Sequence, residues 1–106
     1  MIKIAPRQYN VKVGETITVT TQSSGTVHGV NYDLDGQGGT PLGAGQPLTF
    51  KIASTRVLTL LFTFTNPSGG KYMIGIQSDQ GGSDTDQVDQ GSFGIPAISA
   101  EYRFQL

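Results

Sequence analysis

The chain has 106 residues, the size of one domain, and carries 7 basic and 8 acidic side chains for a formal net charge of −1. This balance lacks the basic surface that nucleic-acid binding needs, so we expect no nucleic-acid partner. The absence of cysteine excludes disulfides, thiol nucleophiles and zinc–thiolate sites.

The composition also limits the membrane and compartment assignments. No apolar run is long enough to span a bilayer, and the start of the chain has no signal-peptide pattern, so we expect no membrane span. The compartment stays unassigned, although a surface rich in Gln, Thr, Ser and Gly favours an extracellular or cell-surface location.

Alternating apolar residues predict about seven strands along the chain. The predicted strands cover residues 9–13, 16–20, 30–34, 48–52, 58–64, 72–76 and 100–106. A Gly-rich stretch follows the third strand, a long polar loop over 78–97 precedes the last, and no segment has helical periodicity. One apolar face per strand predicts an all-β fold, a two-sheet antiparallel sandwich that occupies residues 1–106 as a single domain. A closed barrel is the alternative.

The segment LTLLFTFTNPSGGKYMIGI, which ends with the predicted sixth strand, resembles part of immunoglobulin-like and fibronectin type III sandwiches. In those domains a tyrosine at the start of the sixth strand bonds back to the backbone just upstream, a tyrosine corner. The resemblance implies a cysteine-free, bacterial-type immunoglobulin-like domain in which Tyr72 is the corner and its hydroxyl bonds within residues 66–69. It also implies that Tyr32 fills the place of the missing core tryptophan, and that the domain belongs to a surface, secreted or phage-like assembly.

The polar segment 78–97 is the main candidate for a functional loop, because structureless loops of this length are uncommon in compact domains. Its four aspartates, Asp79, Asp84, Asp86 and Asp89, have oxygen ligands that suit a hard cation. A solvated acidic loop is the interpretation we adopt, with no metal and no cofactor. Phe93 has no strand partner in this segment, so it either folds over the sandwich edge or forms an exposed contact.

The order of seven strands also predicts which turns meet. Turns after alternate strands lie at the same end, which places His28, Arg56 and the acidic loop together and puts Asp33 and Asp35 at the opposite end. We therefore predict a recognition surface built from His28, Arg56, Phe93 and the four aspartates.

Catalytic patterns are missing from the sequence. No serine lies in a Gly-x-Ser-x-Gly elbow, and the spacing around the lone histidine, His28, supports no triad. The Asp-rich run at 33–39 fails as a calcium loop because its twelfth position is Ala44. The sequence thus predicts a non-catalytic binding or interaction module with a protein or glycan partner. A carbohydrate-binding module and a self-associating structural subunit are the alternatives.

Overall fold

The strands account for all the regular structure that the computed structural model shows in the residues it describes, which are 2–24, 29–43, 45–64, 69–91 and 94–106. Ten strands are present there: β1 (Ile2–Lys3), β2 (Arg7–Asn10), β3 (Thr16–Ser24), β4 (Gly29–Leu34), β5 (Thr40–Leu42), β6 (Leu48–Lys51), β7 (Arg56–Thr63), β8 (Lys71–Ser78), β9 (Ser83–Asp89) and β10 (Ala97–Gln105). About seven were predicted, and β1, β5 and β9 are the additions. The described residues contain no helix of the length and apolarity that crossing a membrane requires.

The strands form two sheets. In the first sheet the order is β10, β7, β4 and β5, with β1 and β2 both pairing in parallel with β10 on its other side. The second sheet has the order β6, β3, β8 and β9, and all its pairs are antiparallel. The prediction of an all-β protein with two sheets is confirmed, but the prediction that all pairing is antiparallel was wrong for the first sheet, because β1 and β2 run parallel to β10. Pro6 lies between β1 and β2, where its missing N–H interrupts the edge of the first sheet.

The core lies between the sheets and collects the alternate side chains of each strand. Along β7 the residues Leu58, Leu60 and Phe62 are fully buried, and across the ladder Tyr102 and Phe104 of β10 point to the same side. The second sheet contributes chains such as Val19, Ile74 and Val88. Burial at every second residue is the pattern that the sequence predicts, and it holds the two layers together.

The strand pairing differs from the order that the immunoglobulin resemblance implies. In a constant-type immunoglobulin domain, strands A, B, E and D share one sheet and C, F and G share the other. Taking the seven predicted strands as A to G makes β7 the fifth and β8 the sixth, yet β7 pairs with β4 and β10 while β8 pairs with β3. Apolar periodicity identifies a strand but does not identify its neighbours, so this assignment of β7 and β8 was wrong.

The predicted grouping of turns was wrong for Asp35, because β5 was missed, although Arg56 and Asp79 share an end of the sandwich as predicted. Thr40-Pro41-Leu42 forms an antiparallel strand beside β4, and this extra strand reverses the directions predicted for β6, β7 and β8, while the second unpredicted strand, β9, restores the direction predicted for β10. Asp35 and Arg56 therefore lie at one end of the sandwich, where Asp35 accepts the N–H of Val57. We call this the Arg56 end. Gly29 pairs with Thr63 at the opposite end, which we call the Gly29 end.

Candidate functional site

The segment predicted to be a long acidic loop is mostly a β-hairpin. Residues 83–89 form β9, which pairs with β8 from Lys71 to Gln77 and makes the edge of the second sheet. The alternation in β9 is between exposed polar chains such as Thr85 and half-buried carboxylates such as Asp84. A search for alternating apolar residues does not detect a strand of this composition, which is why it was predicted as a loop.

Two aspartates of β9 belong to a polar network that joins the edges of the two sheets. Arg7 of β2 lies 3.1 Å from Asp84 and 3.0 Å from Asp86. Tyr9 donates its hydroxyl to Asp84 at 2.8 Å, and Tyr102 of β10 donates to Asp86 at 2.8 Å. We call these five residues the edge network. Both carboxylates are committed to intramolecular donors, so the network stabilises the sandwich rather than offering ligands to a partner.

The ionisation of the edge network agrees with this structural role. Burial, together with the bond to Asp84, raises the pKa of Tyr9 to about 12, and burial likewise raises the pKa of Tyr102. The hydroxyl of Tyr9 and the backbone N–H of Thr85 lower the pKa of Asp84. At neutral pH the hydroxyls of Tyr9 and Tyr102 therefore stay protonated and donate, and the carboxylate of Asp84 accepts.

The other two predicted aspartates lie at opposite ends of the β8–β9 hairpin and bond to backbone. Asp79 accepts the N–H of Thr16 at 2.9 Å and anchors the turn between β8 and β9 at the Arg56 end. Asp89 accepts the N–H of Gly91 at 3.0 Å, at the far end of β9. Within the described residues no three carboxylate or histidine side chains come together in a way that suits a metal ion. The four aspartates do not form one site.

Arg56 is bound within the protein at its own end of the sandwich. Its guanidinium pairs with Asp35 and donates to the carbonyl of Lys51 at 2.9 Å, and it lies 5.4 Å from the centre of the Phe50 ring. Asp35 and Asp79 were predicted to lie at opposite ends, but both anchor turns at the Arg56 end. The error again comes from β5, since it changes which turns face the same way.

The remaining predicted residues divide into described and undescribed ones. His28 and Phe93 lie outside the residues that the structure describes, and so does most of the turn expected to receive the Tyr72 hydroxyl. Tyr72 is 3% exposed, its ring packs 4.7 Å from that of Phe62, and its hydroxyl donates to the carbonyl of Gly29 at 3.3 Å. Tyr72 thus ties β8 to the opposite sheet. Tyr32 is half-buried and packs against the core.

A different feature, which was not predicted from the sequence, offers an accessible binding surface. An open groove of about 680 Å³ runs along the side of the sandwich towards the Gly29 end. We call it the side groove, and its walls include Thr20, Thr21, Ser23, Leu42 and Gly45. This volume falls within the roughly 300–1,000 Å³ typical of ligand clefts. None of the described residues that line it is charged.

The side groove exists because β6 covers only half of β3. β6 pairs with residues 16–19 of β3, whereas β8 pairs with β3 up to Ser24. Among the described strands, residues 20–24 of β3 therefore have a neighbour on one side only, and we call them the free edge. Pro47 directly precedes β6, and Gln46, which would lie opposite Thr21 in this register, turns back to bond with Gly43 at 3.0 Å.

A second, smaller concavity of about 210 Å³ lies between the sheets near the Arg56 end, lined by residues that include Tyr9, Glu15 and Asp84. Glu15 accepts the hydroxyl of Ser78 at 2.8 Å, and Asp84 belongs to the edge network. These two carboxylates of the concavity thus already have partners within the protein. No protein-family model, curated protein or solved structure matches the chain.

Proposed function

We propose that the protein is a non-catalytic binding module and that it recognises its partner through the side groove. The observation that carries this proposal is the buried residue Thr21. It is 5% exposed and lines the side groove, yet no described residue forms a hydrogen bond with its hydroxyl. A buried polar group without a partner is costly, so a site that leaves one open favours a ligand that supplies the partner.

The predicted surface of aspartates and Arg56 supports recognition less well. Asp84, Asp86 and Arg56 have intramolecular ion pairs, and Asp79 and Asp89 accept backbone N–H groups. A partner that used these groups would first have to break contacts that hold the fold together. Binding in the side groove would not require breaking such ion pairs, because the described residues of its walls are uncharged.

The relation to immunoglobulin-like and fibronectin type III domains stays part of this proposal. It is supported by the two-sheet architecture and by the buried ring of Tyr72 at the start of β8. The strand order departs from the constant-type arrangement, so any relation lies in architecture rather than in the pairing of β7 and β8.

A pair of matched substitutions tests recognition through the side groove. Thr20 and Thr18 lie on the same outer face of β3, but Thr20 lines the groove beside Gly75 and Thr18 does not. Thr20→Tyr would place a ring over Gly75 and block the groove, while Thr18→Tyr adds the same ring elsewhere on that face. Both variants should fold.

Binding is then measured on a glycan array and on a library of uncharged peptides. We expect a ligand that binds the wild type and Thr18→Tyr and that binds Thr20→Tyr at least about tenfold more weakly, which is about 1.4 kcal/mol. Equal binding by Thr20→Tyr and Thr18→Tyr, or chemical conversion of a bound ligand, would contradict the proposal.

A further inference from the structure

The backbone of the free edge points into the side groove at every second residue. Thr16 bonds to Asp79 on the β8 side, and Glu15 accepts the N–H of Ile52 on the β6 side at 2.8 Å. Because successive residues of a strand face opposite neighbours, Thr21 and Ser23 direct their N–H and C=O groups away from β8. Along residues 20–24 no described strand lies on that side to receive them.

The geometry points to an extended, uncharged peptide segment of a partner protein that adds as a strand along the free edge of β3; this inference rests on the proposed function. Two residues with free backbone groups, spaced by one residue, match the repeat of an incoming strand. Strand addition of this kind draws its affinity from main-chain hydrogen bonds and its specificity from pockets for alternate side chains. In the side groove, Leu42 and Val30 offer the apolar contact for the side chains that point inward.

A peptide fits the side groove better than a sugar does. Sugar sites need an accessible aromatic face, and the aromatic residue that lines the groove, Tyr72, is 3% exposed. The free groups are instead a backbone donor and acceptor at alternate positions, which a strand satisfies and a sugar ring does not. The uncharged walls disfavour a charged segment, since they provide no ion pair to offset its desolvation.

The described part of the chain does not fill this place. Extending the β3–β6 register would set Gln46 opposite Thr21, but Gln46 closes a turn with Gly43 instead. The side-chain oxygen of Gln46 also accepts the N–H of Gly43 at 3.1 Å, which fixes this turn away from the ladder. No described segment of the chain supplies the missing strand, which is why we assign it to another molecule.

The test uses peptides selected on the full chain from a phage library of uncharged heptamers, followed by an N-methyl scan of the best synthetic peptide. N-methylation removes one backbone donor at a time. Methylation at alternate positions should weaken binding at least about tenfold, while methylation at the intervening positions should change it less than about twofold. On the protein, Ser23→Pro removes the N–H that faces the groove, and Ser23→Ala is its matched control. Thermal unfolding establishes that both variants fold.

Each outcome has a defined meaning. Alternation in the scan, with loss of binding in Ser23→Pro and not in Ser23→Ala, supports strand addition; if Ser23→Pro fails to fold, the scan alone decides. A scan without alternation, or no selected peptide, overturns strand addition. Glycan binding that Thr20→Tyr abolishes would also overturn strand addition, but it would leave the proposed function intact. Light scattering that shows a dimer, lost in Ser23→Pro, would replace the peptide with a second copy of the chain. Failure of both collections to yield a ligand sensitive to Thr20→Tyr overturns both proposals.

Discussion

The hydroxyl of Tyr102 should contribute measurably to stability, because it joins the two sheets through a charged acceptor. Its ring is 1% exposed and its hydroxyl donates to Asp86 at 2.8 Å. A hydrogen bond to a charged group contributes roughly 1.5–3 kcal/mol. In Tyr102→Phe, Asp86 keeps its ion pair with Arg7 at 3.0 Å, so we expect the lower part of this range, about 1.5–2 kcal/mol.

Equilibrium urea unfolding of Tyr102→Phe measures this loss as a lower transition midpoint at an unchanged slope. Tyr32→Phe is the matched control, since Tyr32 is half-buried and no described residue accepts its hydroxyl. The control should stay within about 0.5 kcal/mol of the wild type. If Tyr102→Phe and Tyr32→Phe have the same urea midpoint, the edge network does not stabilise the contact between the sheets, and the interpretation of Asp86 as a structural residue is wrong.

Two further predictions concern packing and pH. Gly70→Ala should lower the free energy of unfolding by roughly 1–3 kcal/mol in the same urea assay, because its Cβ would lie 2.6 Å from Cδ1 of Phe64. In the control Gly82→Ala the nearest atom is 3.9 Å away, so the loss should be within about 0.5 kcal/mol. Equal transition midpoints for the two variants would contradict this prediction. Burial raises the pKa of Tyr9 and Tyr72 to about 12, above the unfolded value near 10. Their contribution to stability is therefore complete below pH 10 and is lost as the pH rises towards 12. Tyrosinate absorbance should rise together with unfolding. Ionisation of all tyrosines near pH 10 in the folded protein would refute this prediction.

The sequence predicts the β-class and most of the core because apolar alternation reports burial on one face of a strand. Residues such as Leu58, Leu60 and Ile74 were placed correctly on that basis. The same signal fails at β9, where the inward positions nearest the β8–β9 turn are Asp84 and Asp86. These carboxylates are half-buried because Arg7, Tyr9 and Tyr102 come from distant parts of the chain to meet them. A local sequence pattern does not predict such long-range contacts.

The side groove was beyond prediction for a related reason. It depends on where β6 stops relative to β3, and therefore on strand register, which a single sequence does not fix. Pro47 was the available signal, because proline is typical of strand starts and of edge strands. Using that signal requires knowing that β6 pairs with β3 and that β8 continues further along it. The three-residue strand β5 was likewise too short for periodicity to reveal.

Amide hydrogen exchange along β3, measured by NMR on the unliganded protein, tests the free edge most directly. The N–H groups of Thr20 and Gln22 face β8 and should be protected, while those of Thr21 and Ser23 should exchange at least about tenfold faster. Val19, which pairs with Leu48 of β6, should be protected and marks where the free edge begins. Uniform protection from Thr20 to Ser23 would mean that β3 already has a neighbour on both sides, and the side groove would then have no strand to receive.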